Sequence, residues 1–227
     1  MNVFTPRQKI LSAVLKTTVI ISAIAGTVLS AYAGKRVFMG GSRVFMYFTI
    51  QSNIVIAAVC AYGLRYLYGK RTPGRLWWIV KYVVTVSITL TGAVFCLILA
   101  PTIGNAAWNI QNTLTHVVVP AAAILDFFVV GVSSDISRRS TLWVTVPPVL
   151  YVIYAGIGYV CGWQFADGIN YPYFFLNWGS RAGAFGFTDE LPFMGCVWWI
   201  LLLLAGLLTV GYLYLRLIDI LKKLTHG

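Results

Sequence analysis

Six long apolar runs, separated by shorter polar segments, dominate the pattern along the chain. They lie near residues 11–33, 44–67, 76–100, 106–132, 142–162 and 194–218. Each run is close to the roughly 20 residues that an α-helix needs to cross a bilayer core. The pattern therefore predicts an all-α, polytopic membrane protein, with six transmembrane helices in one bundle and a single domain over residues 1–227.

Composition and charge support this prediction and argue against a nucleic-acid-binding protein. Hydrophobic residues make up 59% of the chain and charged residues 10%, with a net charge of +11 and a mean hydropathy of +0.81. The basic residues lie at the ends of the apolar runs and not in a stripe interleaved with exposed aromatic residues, so a nucleic-acid partner is not expected. Membrane proteins concentrate Lys and Arg in their cytoplasmic segments. The segments that fit this rule contain Arg7, Lys9, Arg65, Lys70, Arg71, Arg75, Arg138, Arg139, Arg216, Lys222 and Lys223.

This distribution predicts that both termini are cytoplasmic, in the cytoplasmic membrane if the source is prokaryotic. Lys35, Arg36 and Arg43, in the first loop, disagree with that orientation. The four cysteines stand singly within or beside the runs, without the paired spacing of a zinc site or a redox dithiol. We therefore expect neither a metal nor a cofactor.

Polar residues cluster inside the second and fourth runs, where burial in hydrocarbon is costly. The second run carries Thr49, Ser52 and Asn53. On the fourth run, polar residues recur at steps of three and four and so line one helical face. This stripe consists of Asn105, Asn109, Asn112, Thr113 and His116.

The depth of these clusters predicts where any chemistry lies. His116 is about 15 Å below the start of its run at 1.5 Å per residue, so we expect the cluster in the outer half to the middle of the bilayer. Pro120, four residues later, has no N–H and should loosen the helix beside the histidine. Thr49 and His116 meet if the second and fourth helices are neighbours.

A threonine hydroxyl becomes a nucleophile when a neutral imidazole removes its proton. Thr49 and His116 are therefore candidate catalytic residues. Two other interpretations remain open: a small transporter or channel in which the stripe, His116 and Asp126 form a polar path, and a noncatalytic interaction protein whose polar residues only fix helix packing. Asp126 lies well inside the fourth run, and Lys81 is its expected structural counterion.

The fifth loop, residues 163–193, is rich in aromatic residues, among them Tyr171, Tyr173 and Phe174. It is either an interfacial anchor or a lid over a pocket. With Tyr47 and Ser52, these three aromatic residues are candidates for lining that pocket.

Three separated segments resemble one known family: residues 47–53 (YFTIQSN), residues 114–120 (LTHVVVP) together with Asp126, and residues 171–174 (YPYF). The family is that of the androgen-induced membrane hydrolases, which includes the androgen-dependent regulator of tissue factor pathway inhibitor, and the chain resembles a microbial member. The resemblance implies a six-span hydrolase of fatty acid esters of hydroxy fatty acids, without a cofactor. It also implies that Thr49 is the nucleophile, which forms a threonyl acyl-enzyme, and that His116 is the base.

The sequence departs from the family after the Tyr-Pro-Tyr stretch, where Phe174 to Asn177 stand in place of proline and an acidic residue. The resemblance therefore supports the type of reaction more strongly than the identity of the substrate. Acyl transfer also needs donors for the oxyanion, and Asn53, Asn109 and Asn112 are candidates. Asn112, one turn before His116, is equally a candidate for orienting the imidazole. The oligomeric partner is unknown.

Overall fold

The computed structural model describes residues 4–34, 41–69, 73–131 and 136–226. These residues are helical or in loops, and the described part contains no β-strand beyond isolated bridges within the fifth loop. Lys35, Arg36, Lys70 and Arg71, used above for the orientation, lie outside the described residues. The six principal helices are α1 Pro6–Gly34, α2 Phe48–Tyr68, α3 Arg75–Ala107, α4 Ile110–Val130, α5 Arg138–Val160 and α6 Cys196–His226.

All six helices are long and apolar enough to cross a membrane. The prediction of an all-α protein with six helices of membrane-spanning length is thus confirmed for the described residues, and such a set of helices is typical of an integral membrane protein. Because the number of spans is even, α1 begins and α6 ends at the same end of the bundle, which we call the terminal end. The opposite end, which carries Thr49 and the fifth loop, is called the loop end.

Several predicted boundaries differ from the observed helix ends by four to eight residues, and two of them bear on the candidate site. The second span, predicted from residue 44, begins at Phe48, because residues Gly41–Met46 form a separate 3-10 turn. The fourth span, predicted from residue 106, begins at Ile110, because the Asn109 side chain caps that helix. Asn105 consequently lies in the 3-10 turn that ends α3 and is not part of the polar stripe of α4.

Helices α3 and α4 each contain a π turn, at Phe95–Leu99 and Leu114–Val118 respectively. A π turn inserts one extra residue into a helix and is often found at functional sites. Apart from these turns, and from the 3-10 turn Gly104–Ala107 that ends α3, the two helices are α-helical. The π turn of α4 contains His116.

Helices α1 to α4 form the closely packed part of the bundle, with α1 against α2 and α4, and α3 against α2 and α4. Helix α6 packs on α3 and on the 3-10 turn Arg138–Thr145 that begins α5. The rest of α5, Val146–Val160, has only sparse backbone contacts with other helices. Its ring contacts are instead with residues of the loop end, notably Phe48, Tyr173 and Phe165.

Candidate active site

Thr49 and His116 meet inside the bundle. Their Oγ1 and Nε2 atoms are 3.2 Å apart, within hydrogen-bond distance. Thr49 is the second residue of α2, and His116 lies in the π turn of α4. The fold therefore joins the two residues that carried the predicted chemistry, although 67 positions separate them in the sequence.

The surroundings of His116 determine which ring nitrogen carries the proton. Nδ1 is 3.1 Å from the carbonyl oxygen of Asn112, which can only accept a hydrogen bond. It is also 3.0 Å from Oγ1 of Thr115, whose own proton is donated to the carbonyl of Gln111. Nδ1 must therefore be the donor in the neutral imidazole, which leaves Nε2 as an acceptor facing the Thr49 hydroxyl. This is the tautomer that a general base for Thr49 requires.

Asn53 ties the two helices together at this point. Its amide nitrogen donates to the carbonyl of Thr49 at 2.8 Å and to the carbonyl of Thr115 at 3.1 Å. In the π turn, Val119 N–H bonds five residues back to Leu114, and the next donor in that register would be Pro120, which has no N–H. Asn53 supplies the donor that the proline lacks.

Of the three asparagines predicted as oxyanion donors, none is placed for that role. The Asn53 amide nitrogen is bound to two main-chain carbonyls, as above. Asn109 Oδ1 accepts from the N–H of Asn112 at 2.9 Å, and Asn112 Nδ2 donates to the carbonyl of Ala107 at 2.9 Å. Both side chains satisfy main-chain groups at the start of α4, where the helix itself cannot. Asn112 does orient the imidazole, but through its carbonyl oxygen.

The ring of Phe95 stacks on one face of the His116 imidazole. The rings of Phe95 and His116 are stacked with centroids 4.0 Å apart and an angle of 21°. Phe95 begins the π turn of α3, so the two π turns face each other across the helix pair. Gly92 lets the helices approach this closely, because a Cβ there would lie 2.8 Å from the carbonyl oxygen of His116. Neither residue was predicted, since nothing in the sequence marks one phenylalanine or glycine among many.

Tyr173, from the fifth loop, completes the group around Thr49. Its hydroxyl oxygen is 3.4 Å from both the N–H and the Oγ1 of Thr49. Burial raises the pKa of Tyr173 above its ordinary value of 10.0, so the phenol stays protonated at neutral pH. Because the Thr49 proton faces His116, the Tyr173 hydroxyl donates to Oγ1 and accepts from the N–H.

The other predicted pocket residues have separate contacts. Tyr47 is buried, packs its ring against Tyr173 and donates its hydroxyl to the carbonyl of Phe165. Ser52 lies within 2.8 Å of the Thr91 hydroxyl, which joins α2 to α3. Phe174 packs on Trp199, whereas Tyr171 is only partly buried. These four residues do not line the cavity described next.

Thr49 opens onto a largely apolar cavity between α2, α3, α5, α6 and the fifth loop. Its empty volume is about 670 Å³, which includes its open side. Its polar side chains are those of Thr49, Thr91, Tyr151 and Tyr173, and the rest of the lining is aliphatic or aromatic. The lining residues are Phe48, Thr49, Leu90, Thr91, Val94, Leu99, Pro148, Val149, Tyr151, Val152, Tyr173, Phe175, Leu176, Ile200, Leu203 and Leu204.

A second buried polar cluster lies nearer the terminal end. The Asp126 carboxylate contacts Nζ of Lys16 at 2.5 Å and Nζ of Lys81 at 2.8 Å. Ser12 donates to the same carboxylate and accepts from Lys16. The expected pairing of Lys81 with Asp126 is therefore present. Sequence reasoning missed Lys16 and Ser12, although a lysine ten residues into a membrane helix was a signal for a buried partner.

Within the described ranges, no three His, Cys, Asp or Glu side chains come together in a way that could hold a metal ion. Comparisons of the chain with protein-family models, with curated proteins and with solved structures find no match in any of the three. The functional conclusion consequently depends on the site itself and on the sequence resemblance given above.

Proposed function

We propose that this protein is an intramembrane hydrolase of lipid esters, with Thr49 as nucleophile and His116 as base. The observation that carries the proposal is the 3.2 Å contact between Thr49 Oγ1 and the unprotonated Nε2 of His116, at the wall of an apolar cavity. A polar pair that only fixed helix packing would not need an apolar space beside its hydroxyl. The position is also the one that the family resemblance assigns to the nucleophile.

The first half of the reaction forms an acyl-enzyme. Thr49 Oγ1 attacks the ester carbonyl carbon while His116 Nε2 takes the hydroxyl proton. The tetrahedral intermediate collapses as its C–O bond to the alcohol breaks, and the imidazolium returns the proton to the leaving oxygen. The alcohol then departs, and the acyl group is esterified to Thr49.

The second half returns the free enzyme. Water attacks the acyl-threonine carbonyl, and His116 accepts a proton from that water. The intermediate collapses to a fatty acid, and the proton passes to Thr49 Oγ1. Oxygen and proton balance is complete with water as the single co-reactant.

Two donors next to Thr49 suit the negative charge that develops on the carbonyl oxygen. These are its own N–H, among the first of α2, and the Tyr173 hydroxyl. N–H groups at the start of a helix have no partner within the helix, and the helix dipole favours negative charge there. In the free enzyme the two donors bond around Thr49, and an arriving carbonyl oxygen would take their place.

The substrate class follows from the family resemblance and the apolar cavity: fatty acid esters of hydroxy fatty acids. We further propose that both termini are cytoplasmic, that a prokaryotic source would place the protein in its cytoplasmic membrane, and that the site lies in the outer half to the middle of the bilayer. Substrate would then approach from the lipid phase.

The test is hydrolysis of a fatty acid ester of a hydroxy fatty acid by protein purified in detergent. Thr49→Ala should lower kcat by about 10³-fold or more, and His116→Gln by about 10²- to 10⁴-fold. Thr89→Ala is the matched control, because Thr89 is a partly buried threonine of α3 that bonds Tyr214 away from the site. It should retain turnover within a few fold.

Mass spectrometry of rapidly quenched wild-type protein adds a direct measurement. An acyl group on the peptide that contains Thr49 would support the covalent intermediate. Undiminished turnover by Thr49→Ala, with the variant folded, would remove the threonine mechanism.

A further inference from the structure

The cavity beside Thr49 is lined mainly by apolar side chains. Its polar side chains are Thr49 and Tyr173, Tyr151, which donates to the carbonyl of Met46, and Thr91, which is paired with Ser52. Along α3 the lining runs from Leu99 to Leu90, a separation of about 13 Å at 1.5 Å per residue. The lining residues nearest the terminal end are Leu90, Pro148 and Leu204. Such a shape fits one apolar chain attached to a polar group at Thr49.

Helices α5 and α6 bound one side of this cavity. Helix α6 contacts α5 chiefly at the turn Arg138–Thr145, near the terminal end, and backbone contacts between the two helices are sparse beyond that turn. Val149 of α5 lines the cavity and is 37% exposed. The cavity therefore reaches the surface at α5, at the level of membrane-spanning residues.

We propose that this cavity binds the acyl chain of the substrate ester, that the chain slides in sideways between α5 and α6, and that Leu204 and Leu90 set the acyl length accepted. The inference rests on the proposed function, because it assigns the carbonyl carbon to Thr49. The alcohol part of the ester lies outside the cavity. Selectivity is consequently for the acyl chain and not for the alcohol.

Leu204 is the position at which to test the length limit. It lines the cavity from α6, one helical turn beyond Ile200 and toward the terminal end. A larger side chain there would shorten the cavity without altering Thr49 or His116. Leu202, on the same helix, is 54% exposed and does not line the cavity, so it provides a matched control.

The experiment measures kcat/KM for esters of one alcohol with acyl chains from butyryl to palmitoyl. Leu204→Trp should raise the ratio of butyryl to palmitoyl kcat/KM by about tenfold or more, and Leu204→Ala should move the ratio the other way. Leu202→Trp should leave it unchanged. Equal losses for every chain length, or ratios unchanged in both Leu204 variants, would overturn the assignment.

A binding measurement separates this inference from the proposed function. A fatty acid with a photoreactive group at its chain terminus is cross-linked to Thr49→Ala protein, and the labelled peptides are identified by mass spectrometry. Label on cavity residues such as Leu204 is expected, and label confined to lipid-facing residues such as Leu202 would overturn the inference. If the wild type hydrolyses none of the esters but the cavity is labelled, the proposed function fails while the chain-binding site stands.

Discussion

The two buried polar clusters of this bundle differ in charge and in access to a cavity. The cluster of Asp126, Lys16 and Lys81 is closed, with Lys16 and Asp126 3% and 1% exposed and the carboxylate bound on both oxygens. The cluster of Thr49 and His116 is made of neutral groups and adjoins a cavity. The two centres are about 15 Å apart along α4.

The difference supports a structural role for one cluster and the proposed catalytic role for the other. In the closed cluster the strong contacts are with protein groups that carry the opposite charge, which is what low dielectric requires. In the open cluster the hydroxyl of Thr49 lies within reach of His116 and of the Tyr173 hydroxyl, and Thr49 also lines the cavity. Exposure to a cavity, and not burial or polarity alone, is what distinguishes Thr49 as the proposed nucleophile.

The largest effect that tests this comparison is a loss of stability, expected when the closed cluster loses its carboxylate. Asp126→Asn leaves two buried lysines without a countercharge, so we expect a loss of about 3–5 kcal/mol in the free energy of unfolding. Turnover per folded molecule should change little. Unfolding by a denaturing detergent, followed by circular dichroism, measures the first quantity and ester hydrolysis the second.

Asp219→Asn is the control for this variant, because Asp219 is exposed on α6. It should change stability by no more than about 0.5 kcal/mol. Full stability of Asp126→Asn combined with loss of turnover would assign Asp126 to the chemistry and remove the distinction between the clusters.

A smaller effect is expected from Tyr173→Phe at the open cluster. The variant keeps the ring packing on Tyr47 and Phe175 but removes one of the two proposed oxyanion donors. We expect kcat to fall on the order of 10²-fold with KM nearly unchanged. Steady-state hydrolysis of the same ester gives both constants.

Tyr212→Phe, on the exposed surface of α6, should retain wild-type kcat. If Tyr173→Phe instead raised KM and left kcat unchanged, the hydroxyl would serve substrate binding alone.

The smallest effect is expected from Gly92→Ala, which would shift the proposed base, His116, without changing its chemistry. A methyl group at Gly92 would press on the His116 carbonyl at 2.8 Å. Gly92→Ala should therefore cost about 1–3 kcal/mol of stability through overpacking and lower turnover by shifting the imidazole. Gly206→Ala, where no atom lies within 4 Å of the added carbon, is the matched control and should leave turnover unchanged and stability unchanged or raised by up to about 1 kcal/mol, because alanine is the better helix former. Wild-type stability and turnover of Gly92→Ala would contradict the close approach of α3 to His116.

The elements that sequence reasoning predicted are those with a local signal. Six apolar runs of membrane length predicted six helices, and steps of three and four put Asn112 and His116 on one face. Pro120 indicated a loosened helix beside the histidine, and a π turn is present there. Asp126 indicated a buried partner, because an isolated carboxylate in hydrocarbon is costly.

The misses depend on contacts between distant segments. The asparagines were predicted to face the reacting atoms. In the structure Asn109 and Asn112 bond main-chain groups at the start of α4, and Asn53 bonds the Thr115 carbonyl that Pro120 leaves without a donor. Lys16 was overlooked because its partner lies 110 residues away. Tyr173 was named only as a pocket or lid residue, and its place beside the Thr49 hydroxyl depends on how the fifth loop folds back onto α2.

The sequence by itself determined that the chain has six helices long and apolar enough to cross a membrane, and which of their polar side chains need a partner or a cavity. Those conclusions follow from transfer free energies, which depend on residue type and run length alone. Only the tertiary structure decided that Thr49 meets the unprotonated nitrogen of His116, because the tautomer is set by a carbonyl and a hydroxyl that the helix turn brings to Nδ1. The cavity is likewise a tertiary feature, since its lining comes from four helices and the fifth loop.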